Sequence, residues 1–139
     1  MKRRAHWLDK AAVLAIQEAL LAEHGGLAGL RDAGLLDSAL ASAQHTARYR
    51  KDADVHELAA RYASALIRNH PFLDGNKRTA FVAAAVFLDV NGYSFSAPEA
   101  EVVAMVEGLA ARETSEAVFA QWLRRSSRRK RSQRGKHEG

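Results

Sequence analysis

The chain predicts an all-α fold in one domain, on three observations. Apolar residues recur at three- and four-residue spacing through most of the first 125 positions, and these stretches end at glycine or polar breaks. Only two short pieces, His45–Lys51 and Tyr93–Phe95, read as extended. The first helix runs from Asp9 to about Glu23, with Val13, Ile16, Leu20 and Leu21 on one face, and stops at Gly25-Gly26. Asp37–Gln44 gives a short second helix. Asp54 followed three residues later by Glu57 has capping-box spacing, and Leu58, Ala59, Tyr62, Leu66 and Ile67 carry an apolar stripe towards Asn69. A helical period resumes at Asn76, with Thr79, Ala80, Val82, Ala83, Val86, Phe87 and Val90 leading to Gly92. These two helices are expected to form the central pair, joined by a loop over 70–75. Pro98 opens a further helix to Ala110 or Ala111, and Ser115 opens the last, with Val118, Phe119 and Trp122. Trp7 and Trp122 are expected in the core. His24 and His56 have no carboxylate or cysteine at zinc spacing, so surface or helix-end roles are expected for them.

With 139 residues and 47% hydrophobic content, the chain supports one modest core. It has no cysteine, so disulfides are excluded. No apolar run approaches the roughly 20 residues of a membrane span, and Met1-Lys2-Arg3-Arg4 leads into no signal-peptide hydrophobic region, so a cytoplasmic location is expected. The net charge of +5 is unevenly distributed. Residues 124–139 hold eight Lys/Arg and one Glu, leaving the first 123 slightly acidic. Residues 1–125 therefore read as the domain and 126–139 as a basic, disordered tail able to attract nucleic acid or an acidic partner. A solubilising role for that tail is favoured over nucleic-acid binding.

The segment His70-Pro71-Phe72-Leu73-Asp74-Gly75-Asn76-Lys77-Arg78 places a base, a carboxylate, a glycine and two cations at one helix start. The first turn of a helix leaves about four N–H groups unpaired and attracts anions. Gly75 lets backbone approach a ligand. Lys77 offers a compact charge, Arg78 a planar fork for phosphate oxygens, and Asn76 an amide donor. Asp74 is a candidate Mg²⁺ ligand, and His70 a candidate general base. Any one of these residues alone would more often be structural. All of them together are too specific for chance.

The segment matches H-x-F-x-[D/E]-G-N-[G/K]-R and resembles the Fic/Doc (Fido) family, in particular its death-on-curing (Doc-like) toxin branch. Gly25-Gly26-Leu27, Gly34 to Leu40, Ile67-Arg68-Asn69 and Phe87 to Gly92 resemble family landmarks in the family's order, over about residues 8–125. The resemblance implies a compact helical bundle with a small flap at His45, Tyr49, Arg50 and Lys51, where a solvated loop is favoured over the docking of a target segment. It implies His70 as base, Asp74 as the Mg²⁺-linked carboxylate, and Arg68, Gly75, Asn76, Lys77 and Arg78 as nucleotide-phosphate contacts.

Two departures from the adenylyl-transferring pattern G-N-G-R-x-x-R matter. Lys77 replaces a glycine and Phe81 the second arginine, as in the Doc branch, which implies ATP-dependent phosphorylation of a hydroxyl on elongation factor Tu. Transfer of AMP or another nucleotide is the alternative, and a noncatalytic nucleic-acid-binding module is a third reading. A polar asparagine of the Doc pattern is Val82 here. Self-inhibited relatives carry [S/T]-x-x-x-E-[G/N]. Glu107-Gly108 follows Val103 and Glu138-Gly139 follows Arg134, so neither fits, and control by a separate Phd-like antitoxin is expected.

Overall fold

A computed structural model describes residues 5–131. Six helices and one small sheet follow in order: α1 Lys10–His24, α2 Ala33–Tyr49, α3 Val55–Asn69, α4 Asn76–Val90, β1 Tyr93–Phe95, α5 Glu99–Ala110, α6 Glu116–Arg125 and β2 Ser127–Arg129. The all-α class holds. Among the described residues, no helix is long and apolar enough to cross a membrane.

α3 lies at the centre, packed against α2, α4 and α6, and buries His56, Leu58, Ala59, Ala60, Tyr62, Ala63, Ser64, Ala65 and Leu66. Its alanines face Ala80, Ala83 and Ala84 of α4, and all three of these are buried. Small residues on both sides let the two axes come close, which holds the 70–75 loop firmly between them. The predicted capping box is present: Asp54 accepts from Glu57 N–H and Glu57 accepts from Asp54 N–H, both at 2.9 Å. Tyr62 accepts from the Leu8 N–H at 3.1 Å, tying the N-terminal segment to the core. Phe81, Phe95, Phe119 and Trp122 form an aromatic cluster, with Trp122 Nε1 donating to Glu101 at 2.8 Å. Trp122 is buried as expected, whereas Trp7 is half-buried and stacks on Phe87.

Three expectations are corrected. α2 is far longer than Asp37–Gln44. Asp32 caps it through the Leu35 N–H at 3.0 Å, Gly34 is accommodated in its first turn, and no glycine or proline interrupts it before Arg50. His45 and Tyr49 are thus helical, leaving only a short connection at 50–54 where an extended flap was expected.

The basic segment is ordered as far as it is described. β2 pairs antiparallel with β1, matching Tyr93 with Arg129 and Phe95 with Ser127. Lys130 reaches Asp89 Oδ1 at 2.6 Å, and Arg129 lies over the Tyr93 ring. Serine at 126–127 and the acid at 89 give the backbone and the cations local partners, which composition alone could not reveal. Residues 132–139 lie outside the described part.

His56, for which a surface or helix-end role was expected, does lie at a helix end, in the first turn of α3, but is buried there with its ring against Tyr93, 4.8 Å between centroids.

Candidate functional site

The motif loop is built by backbone and amide contacts before any ligand is considered. α3 ends at His70, whose φ of 52° and ψ of 55° place it in the left-handed region that favours glycine. Arg31 braces this turn, donating Nε to the His70 carbonyl at 2.7 Å and Nη2 to the Asn69 carbonyl at 2.9 Å. The Pro71 carbonyl accepts from the N–H groups of Arg31 and Asp32, and Leu30 bridges Phe72. Segment 26–32 therefore runs alongside 69–74 and fixes it. Arg31 was not singled out in the sequence because it belongs to no motif and acts on backbone carbonyls far along the chain.

Asn76 is the loop's internal clamp. It is buried, its Oδ1 accepts from the Phe72 N–H at 3.0 Å, and its Nδ2 donates to the Phe72 carbonyl at 2.9 Å. The side-chain amide expected to contact phosphate is thus engaged within the protein.

Asp74 is held at both oxygens: Oδ1 accepts from Gly75 N–H at 3.0 Å and Oδ2 from Leu27 N–H at 3.2 Å. Gly26 permits that approach, since a Cβ there would come 2.9 Å from Asp74 Oδ2. A carboxylate oxygen has two lone pairs, so each retains one for a further ligand. Among the described residues, no three or more His, Cys, Asp or Glu gather into a metal-binding group. The donor set fits Mg²⁺ only where a ligand's oxygens and waters complete the shell.

α4 begins at Gly75, φ 75°, with no side-chain cap, whereas Asp9, Asp32, Asp54 and Ser115 each cap a helix. A cleft of about 890 Å³ at the start of this helix is lined by His70, Asp74, Gly75, Asn76, Lys77 and Arg78. Phe81, Val82, Phe95, Ala97, Val102 and Val106 form its apolar wall. Val82 thus extends an apolar surface at the position where the Doc pattern has asparagine. His24, at the end of α1, also borders the cleft.

Across the cleft, α5 presents Glu107, both of whose oxygens lie 3.1 Å from Lys77 Nζ. The sequence pattern for an inhibitory helix fails at Val103, yet this glutamate does reach the motif lysine. Arg78 is exposed and has no ion-pair partner among the described residues.

Arg68 is not brought to the cleft. Arg68 lies in the last turn of α3 and His70 just beyond its end, in the left-handed region, and the two border different cavities. Its Nη2 meets Ser64 Oγ at 3.1 Å, and it lines a separate cavity. His45, Tyr49, Arg50 and Lys51 do not border the cleft either.

A profile of the Fic/DOC family matches residues 7–88, which span this entire loop and most of both central helices. The chain belongs to the Fic/DOC family. It is 35% identical over 114 residues to the protein kinase Doc of Escherichia phage P1, covering 81% of this chain and 89% of that protein. It is 47% identical over 75 residues to the toxin Doc of Mycolicibacterium smegmatis, covering 52% of this chain and 57% of that protein. Within the Fic/DOC family the chain is thus a Doc-like toxin, and its motif residues His70, Asp74, Lys77 and Arg78 border one cleft.

Proposed function

We propose that the protein is an ATP-dependent protein kinase that transfers the γ-phosphoryl group to a hydroxyl of elongation factor Tu and is held in check by a Phd-like antitoxin. One observation carries this reading: His70, Asp74, Lys77 and Arg78 share one cleft, and the adenylyl-transferring glycine is Lys77. A side chain at 77 fills room that a glycine would leave for a phosphate, while its charge attracts one.

In this reading His70 accepts the proton from the attacking hydroxyl. Lys77, Arg78 and the uncapped first turn of α4 stabilise charge spread over the equatorial oxygens of the moving group. Asp74 would hold Mg²⁺, which would supply further charge neutralisation. The apolar wall gives the base of the nucleotide a surface unlike the cationic end, so the two ends of ATP are told apart. The Doc relatives, one named a protein kinase and one a toxin, support the assignment and imply an antitoxin.

The test is incubation with elongation factor Tu, Mg²⁺ and ATP labelled at the α- or the γ-phosphate. We expect label on the target from the γ position only. Label from the α position, or none from the γ position, would overturn the kinase reading and point to nucleotide transfer or to another target.

A further inference from the structure

A second cavity, of about 340 Å³, shares no residue with the cleft. Ser64, Arg68, Arg112, Thr114, Ser115 and Glu116 contribute its polar groups. Arg68 and Arg112 have no ion-pair partner among the described residues, and Arg68's hydrogen bond goes to a neutral hydroxyl, Ser64 Oγ. Glu116 is the one acid in the wall, and Arg61 already neutralises it at 3.0 Å. Both arginines that line this cavity are thus exposed and without a carboxylate partner among the described residues.

Arg112 supplies an independent observation. It follows the C-cap Ala111 with φ 64°, the position where glycine usually ends a helix. The N–H groups of Glu113 and Thr114 both donate to the Gly108 carbonyl, at 2.9 and 3.0 Å, which holds this turn in place. The turn thus fixes the point from which the Arg112 side chain leaves the chain.

We infer that this cavity binds a phosphate dianion, free or as a terminal monoester. Each planar fork can take a pair of oxygens, and a phosphate dianion has enough oxygens to serve two forks where a carboxylate has only two in all. Ser115 Oγ accepts from the Val118 N–H, which leaves its own proton to donate, and Thr114 adds a second hydroxyl.

The inference is tested on the ¹⁵N-labelled full chain titrated with inorganic phosphate, methyl phosphate and acetate, following the amides of Thr114, Ser115 and Glu116. Saturable shifts with phosphate or methyl phosphate are expected, and the tighter of the two identifies the form taken. These shifts should persist in a Lys77→Ala/Arg78→Ala protein, which separates them from binding in the cleft. Arg112→Gly should weaken binding about tenfold or more while remaining folded, because glycine suits that backbone. Arg68→Gln should weaken it similarly. Shifts that never saturate, that vanish in the Lys77/Arg78 variant, that survive Arg112→Gly, or that acetate reproduces equally well would overturn the site. Failure of phosphoryl transfer in the cleft would leave all of these outcomes unchanged.

Discussion

Replacing Asn76 by alanine separates a structural role for the motif asparagine from a ligand-binding one. The side chain is 4% exposed and makes two hydrogen bonds to the Phe72 backbone, at 3.0 and 2.9 Å, while Phe72 itself is 1% exposed. Alanine would remove both bonds and leave a buried N–H and a buried carbonyl without partners, at about 1–3 kcal/mol for each unsatisfied group. Some relaxation of the loop towards water offsets part of this, so we expect a loss of about 2–4 kcal/mol. That is a large fraction of a domain's usual stability of about 5–15 kcal/mol. Asn76→Asp is nearly isosteric but sets an oxygen against the Phe72 carbonyl, so it should be at least as damaging as alanine. Urea denaturation of the three proteins measures the difference. An Asn76→Ala protein as stable as the parent but unable to bind ATP would refute the clamp and restore the amide to direct phosphate contact.

Three further outcomes are expected. His70→Gly should raise the unfolding midpoint, by about 0.5–1 kcal/mol in stability, because glycine suits φ 52° and ψ 55°, while abolishing transfer; retained transfer would remove His70 as base. Glu107→Gln should tighten ATP binding by no more than about fivefold, since the Lys77 pair is half-exposed and such pairs contribute about 0.2–1 kcal/mol; weaker binding by calorimetry would mean that Glu107 assists the ligand instead. Burial lowers the pKa of His56 below its ordinary 6.5, with Arg124 adding to this and Asp54 opposing it. The neutral ring is therefore the form the fold favours. Its stability contribution is complete above about pH 6.5 and is lost as pH falls through the lower folded value, so a His56→Phe protein should show a flatter stability profile below pH 6.5.

Helix starts and the motif were legible because their causes are local. Asp9, Asp54 and Ser115 each hydrogen-bond a backbone N–H three residues ahead, and an acid or serine before an apolar period shows this in sequence. The length of α2 was not, because Gly34 and the polar run after Gln44 read as breaks while the helix is held by Leu36, Ala39, Leu40 and Ala43 packing on α3. Within the site, residue types were legible but their directions were not. Asn76 turns inward because Phe72 offers a donor and an acceptor at the right spacing. Arg68 borders another cavity, where Ser64, one turn back, holds its guanidinium. The contacts of Arg31 and Gly26 to the loop cross 39 and 48 residues of sequence, and no local pattern reports them.

The Lys77–Glu107 contact bears on how the proposed kinase is silenced. A carboxylate in cis does face the motif lysine, although the sequence pattern for an inhibitory helix fails at Val103. Its strength decides its importance. Hundredfold suppression requires about 2.7 kcal/mol of differential binding, whereas an ion pair with side chains 51% and 58% exposed supplies at most about 1 kcal/mol and less as salt rises. Arg78 is not engaged at all by an acid among the described residues, so half of the motif's charge remains open to phosphate. Glu107 can therefore tune the cleft but cannot close it. Silencing must draw on a larger surface than one exposed pair. The half-exposed Leu73 and Val103, which both border the cleft, are apolar groups that a helical antitoxin segment could cover together. The magnitude thus limits what Glu107 can do alone, in keeping with the proposed control by a separate antitoxin, and Glu107→Gln checks it. If that one change released full activity from a silent protein, the energetic argument for a separate antitoxin would fail.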